Sequence, residues 1–315
     1  MNTSRKLFAA LVLCALNLGA AQGTQAAEEF KGNWTLSASD QPGKVQFGLS
    51  HRMHGGISQS EMDWPVSAFQ GLDLGVKGKR DMQFTIARDA GQFSCEGYLN
   101  NGEGAGVFHF TPDASYVHSM SALGFDGIDE EKQFAMAVHD VTLEFAKAMK
   151  DEKVSGLNTD MLIAFRIHGV SQQFTREIRA EGLAAVEADQ LIAYRIHGVS
   201  PEFVREVRKA GLSASEDQLV AMRIHGVSPE WIAQMKKNGY DLRSVDDMIA
   251  FRIHGVSPEF IAKIEKLGYK HPEPDQLVAM RIHGVTPEYI ATLKSRGMKD
   301  LSIDQMVNLR IHGID

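Results

Sequence analysis

Six histidines in this chain share one local setting. RIHGV spans Arg166 to Val170 and returns at Arg195, Arg223, Arg252 and Arg281, and RIHGI follows at Arg310. The resulting His-Gly pairs are His168 and Gly169, His197 and Gly198, His225 and Gly226, His254 and Gly255, His283 and Gly284, and His312 and Gly313. An imidazole can transfer protons near neutrality or bind a metal, so a recurring one suggests catalysis or a metal row. Spacing weighs against the row. Packed helices stand about 8–10 Å apart, whereas each Zn–N bond is about 2.0–2.1 Å. Parallel side chains one helix apart cannot share an ion, and no carboxylate or thiol accompanies each histidine at ligand spacing. Punctuation of a fold is the expected role.

His51 and His54, in HRMH, form a smaller two-ligand pattern to which Glu61 could be added. They carry the alternative reading, a periplasmic protein that binds a metal or small ligand through its N-terminal half. HExxH, GxSxG and P-loop motifs are absent from the sequence. Cys95 falls in an apolar strand pattern and reads as a small core residue. The expectation is a non-enzymatic protein with no catalytic residue and no cofactor.

What must position these residues begins after a separate leader. Residues 1–27 run from the basic Arg5 and Lys6 through an apolar stretch to small residues before Glu28, the pattern of a cleaved signal peptide. Cys14 follows the large Leu13, which argues against lipid attachment. Cys95 is then the only cysteine of the mature chain, so an internal disulfide is ruled out. The expected location is periplasmic or secreted, with no stable membrane insertion after cleavage. Arg5 and Lys6 leave with the leader and no acid does, so the formal charge of −7 becomes −9. That sign, without a clustered basic tract, disfavours nucleic acid as a partner.

Residues 28–113 alternate with the period of strands. KVQFGLS sets Val45, Phe47 and Leu49 on one face, and MQFTIA does the same with Phe84 and Ile86. Turn residues separate six expected strands, at about 33–39, 44–53, 60–66, 80–88, 92–99 and 104–110. Pro65 assigns the third to an edge, because proline cannot donate to a central ladder. An antiparallel sandwich or partly closed barrel follows, making the whole chain an α+β protein of two domains.

From residue 114 the period changes. Histidines 139, 168, 197, 225, 254, 283 and 312 recur at intervals of 28 or 29 residues, which predicts a solenoid of helical hairpins. The unit at His139 is degenerate, five full repeats follow, and the last is a half repeat. In the copy from Val199 to Val227, Ser200, Pro201 and Glu202 start a helix as N-cap, N1 proline and first-turn acid. Val199 and Val204 form a hydrophobic staple, and Ser215 with Gln218 makes a capping box for the next helix. That helix carries Leu219, Val220, Met222 and Ile224, and His225, Gly226 and Val227 end it in a Schellman turn. Arg223 then suits the dipole, and an ion pair from it to Glu230 is expected across the corner, as from Arg195, Arg252 and Arg281 to Glu202, Glu259 and Glu288.

QLVAMRIHGVSPEWI and MIAFRIHGVSPEFIAKIEKLGY resemble the IHGV(S/T)PE(F/Y) repeats in extracytoplasmic regions of BlaR/MecR-type membrane metallopeptidases. DWPVSAFQGL, RDAGQFSCEGYLNNGEGAGVFHFTP and FAMAVHDVTLEFAKAM look like the segment preceding those repeats. The resemblance covers nearly all of the mature chain and implies a free-standing sensing or docking module. The peptidase motif and transmembrane helices of that family are missing here, so no catalytic residue carries over. The leading expectation is a module that docks an envelope protein partner through its solenoid. Side chains varying between repeats are the candidate contacts: Thr175, Arg208, Lys236, Lys237, Lys266 and Arg296.

Overall fold

The computed structural model describes residues 30–53, 56–183, 187–240 and 244–314. The expected signal segment, Cys14 and His54 lie outside them. Two compact units result: one holds the strands up to Ile86 with Phe93–Thr111, the other Ala87–Gln92 and the chain from Pro112 onward.

The first unit is a single antiparallel sheet rather than a sandwich of two. Its strands are β1 (Lys31–Ala38), β2 (Lys44–Met53), β3 (Gly56–Pro65), a two-residue β4 (Phe69–Gln70), β5 (Lys79–Arg88), β6 (Gly91–Asn100) and β7 (Glu103–Pro112), in the order β3-β2-β1-β7-β6-β5-β4. Pro65 lies on the edge strand β3, as its missing N–H requires. Four strand spacings separate β2 from β5, about 19 Å in a flat sheet. The rings of Phe47 and Phe84 nevertheless stand 6.1 Å apart, and those of Trp64 and Phe93 6.2 Å. The sheet therefore curls round one aromatic core, and the ladder does not close into a barrel. Two packed sheets are unnecessary, because one face of the curled sheet already meets itself.

Glycine makes part of that curl possible. Trp34 is fully buried and its Nε1 donates to the Glu96 carbonyl at 3.0 Å. A Cβ on Gly106 would come within 2.0 Å of the Glu96 carbonyl oxygen and 2.7 Å of Trp34 Nε1, so only glycine lets the indole reach its acceptor.

The second unit is a stack of hairpins after α1 (Ala114–Ala122), which starts at the residue where the helical region was expected to begin. The degenerate unit is α2 (Glu130–Val138) and α3 (Leu143–Asp151). The repeats then pair α4 (Thr159–His168) with α5 (Gln172–Ala180), α6 (Ala188–His197) with α7 (Pro201–Lys209), and α8 (Glu216–His225) with α9 (Pro229–Lys237). They continue with α10 (Val245–His254) and α11 (Pro258–Lys266), α12 (Pro274–Ile282) and α13 (Pro287–Ser295), and the half repeat α14 (Ile303–Ile311). First helices stack on first helices, α4 on α6 and so on to α14.

Local punctuation follows the chemistry of each residue. Ser200 Oγ accepts from Phe203 N at 3.2 Å, and the Ser215 and Gln218 capping box is complete. Val227 N donates to Met222 O at 2.8 Å, the long bond of a Schellman ending, with Gly226 at φ 70°. Val199 and Val204 are both buried. In the degenerate unit Asp140 occupies the glycine position at φ 55°. Asp tolerates this region better than most residues, and its carboxylate meets Arg166 Nη2 at 2.9 Å and Arg88 Nη1 at 3.2 Å.

Candidate functional site at the repeat corner

The corner where each first helix ends and its second helix begins gathers the RIHG residues, and its bonds run between units rather than within them. Arg252 Nε donates to the carbonyl of His225 in the preceding unit at 3.0 Å. Arg166 does the same to His139 (3.0 Å), Arg195 to His168 (3.2 Å), Arg223 to His197 (3.4 Å) and Arg281 to His254 (3.0 Å). Each guanidinium also lies over the aromatic ring that opens the preceding unit's second helix: Arg195 over Phe174 at 5.0 Å, Arg223 over Phe203 at 5.1 Å, Arg252 over Trp231 at 5.6 Å and Arg281 over Phe260 at 5.0 Å. Arg310 stands 4.5 Å from the Tyr289 ring. A cation over a ring contributes about 0.5–1 kcal/mol when exposed, and here it joins neighbouring repeats.

This replaces the expected ion pairs from Arg195, Arg223, Arg252 and Arg281 to Glu202, Glu230, Glu259 and Glu288, none of which forms. The arginine extends to the unit before its own, while the glutamate stays on its own helix. The carboxylates of Glu230 and Glu259 are held below their ordinary value chiefly by the N-cap hydroxyls of Ser228 and Ser257. Those of Glu202 and Glu288 are lowered first by their own backbone N–H, then by Ser200 and Thr286. Arg223 adds only the smallest lowering influence on Glu230.

The histidines end their helices, and it is their carbonyls that the arginines bind. His168, His197, His225 and His254 are half-buried, His283 and His312 exposed. Among the described residues no group of three or more His, Cys, Asp or Glu side chains is placed to hold a metal. His51 is buried on β2 with its ring 5.2 Å from that of Phe30, and the proposed second ligand His54 falls outside the described residues. Burial pushes the Cys95 thiol up to about 12, so it is a protonated core group at neutral pH.

The variable positions behave differently from one another. Thr175, expected as a contact, is buried and its hydroxyl donates to the Ser171 carbonyl at 3.0 Å. Arg208 is exposed, but its guanidinium sits over Gly182 of the preceding unit. Lys236, Lys237 and Lys266 are exposed on the second helices, and Arg296 is exposed at the C-cap of α13.

Sequence reasoning missed the isoleucine of RIHG. Counted with the apolar stripe of its helix, Ile224 is 42% exposed, and Ile167, Ile196, Ile253, Ile282 and Ile311 are between 49% and 57% exposed. Helical geometry held the signal. Ile224 follows the buried Met222 by two residues, a rotation of about 200°, so both cannot face the core. All six copies thus carry a half-exposed isoleucine at the same corner position.

Comparison with family models, with curated proteins and with solved structures gave no match. Among the described residues no helix is long and apolar enough to cross a membrane.

Proposed function

We infer that the protein is a non-catalytic extracytoplasmic interaction or sensing module that docks a protein partner through its helical repeats, in envelope signalling. The observation that carries this reading is the row of isoleucines. An isolated exposed isoleucine on a soluble protein needs no explanation, but the same half-exposed one at the same corner of every copy is a recurrent apolar feature, and exposed apolar surface that recurs in this way supports an interaction surface. Solenoids present such rows on a regular scaffold because each unit repeats its neighbour's geometry. The leader at residues 1–27 and the resemblance to BlaR/MecR-type extracytoplasmic repeats support a periplasmic site of action.

The test is cross-linking capture from the native envelope with the full-length protein and with a variant carrying Ile196→Ser, Ile224→Ser and Ile253→Ser. A protein recovered by the parent and lost by the variant is the expected result. Equal recovery by both, or by neither, overturns the docking reading.

A further inference from the structure

We propose that the repeat corner binds an acidic, aliphatic protein segment in an extended conformation of three residues per turn. This inference rests on the docking reading and specifies the chemistry of the occupant. Beside the isoleucines stand cations that no carboxylate among the described residues contacts directly. Arg195, Arg223, Arg252 and Arg281 are exposed. Each spends Nε on a neighbouring carbonyl and a ring face on an aromatic. None forms an ion pair with a carboxylate among the described residues, although the chain as a whole is acidic. The remaining guanidinium N–H groups are donors without an anion, held rigidly by the stack.

The arrangement is periodic. Each unit offers one isoleucine and, laid over the C-terminal turn of the unit before, one guanidinium: an ideal Cβ on Gly198 would stand 3.0 Å from Arg223 Nη2, and one on Gly226 2.6 Å from Arg252 Nη2. The period is one helix spacing, about 8–10 Å. A β-strand returns a side chain to the same face after about 6.7 Å, which falls out of step at once. A helix with a seven-residue repeat returns after about 10.5 Å, just beyond this range. A polyproline-type segment returns every third residue, after about 9.3 Å, a repeat that lies inside this range. The complementary sequence has an aliphatic residue and an acid in each triplet.

The experiment titrates full-length protein with a peptide of repeated Leu-Pro-Glu triplets. Its controls are the same peptide with Gln for Glu, and a helical peptide of matched composition with leucines seven residues apart. The Glu peptide is expected to bind roughly tenfold or more tighter than the Gln peptide at low salt, and to weaken as salt rises. The Ile196→Ser, Ile224→Ser and Ile253→Ser variant is expected to weaken it about tenfold or more. Because arginine substitutions also disturb the stack, a second variant introduces Ile196→Glu, Ile224→Glu and Ile253→Glu. It leaves every arginine in place and must weaken the acidic peptide more than the serine variant does. Equal binding of Glu and Gln peptides, tighter binding of the helical peptide, or a glutamate variant no worse than the serine one overturns the inference. The docking reading survives those outcomes if capture of the native partner still depends on the isoleucines.

Discussion

Arg252 Nε reaches back a whole repeat to donate to the His225 carbonyl at 3.0 Å, with its guanidinium over the Trp231 ring. Arg252→Gln should cost about 1–2 kcal/mol in chemical denaturation, combining an exposed charge-assisted hydrogen bond with a cation–π contact. A double-mutant cycle of Arg252→Gln with Trp231→Leu should show coupling of about 0.5–1 kcal/mol. The cycle of Arg223→Gln with Glu230→Gln should be additive, since those side chains do not pair. Coupling in the second cycle but not in the first would contradict the ladder between units.

Gly226→Val should destabilise the protein by about 2–4 kcal/mol, because a β-branched residue resists the left-handed conformation and its Cβ would stand 2.6 Å from Arg252 Nη2. His225→Gln keeps the carbonyl that the arginine uses and should cost less than about 1 kcal/mol. Thermal melts of the two variants check the order, and the opposite order would give the imidazole a role that the geometry does not.

Acid should weaken the corners through Glu202, Glu230, Glu259 and Glu288. Each carboxylate titrates below its ordinary value of 4.5 in the folded state. Their contribution is present above that value and is lost as pH falls through the lower folded one. A variant with all four changed to glutamine should therefore melt below the parent near pH 6, and the gap should shrink toward about pH 3. A gap that stays constant with pH would show that the carboxylate charge is not what the caps use.

In the sheet, Gly106→Ala should cost about 2–3 kcal/mol or more, since even a methyl group collides with the Glu96 carbonyl and Trp34 Nε1. The Trp34 fluorescence should change with it, because the indole loses its acceptor. An alanine that leaves both stability and emission unchanged would mean the sheet is less tightly curled than described.

Much of the fold could be read along the chain because its determinants are local. Ser200, Pro201, Gly226 and the capping pair Ser215 and Gln218 act on backbone groups within a few residues, so type and spacing suffice to place them. Strand alternation was equally plain at Val45, Phe47 and Leu49. What alternation could not say is whether the apolar face meets a second sheet or its own far side. That depends on Gly106 lying opposite Trp34 in the register of β1 and β7.

The candidate site divides in the same way. The recurrence of RIHGVSPE determined by itself a helix end, a left-handed glycine and a new helix start, since each is satisfied by neighbours in the chain. The partner of each arginine was decided only by stacking one repeat on another, because a side chain seven residues from a glutamate is nearer in space to a carbonyl 27 residues earlier. Stacking also decided how much of each isoleucine stays in water. Solvent exposure belongs to the packed surface, and no single repeat carries it alone.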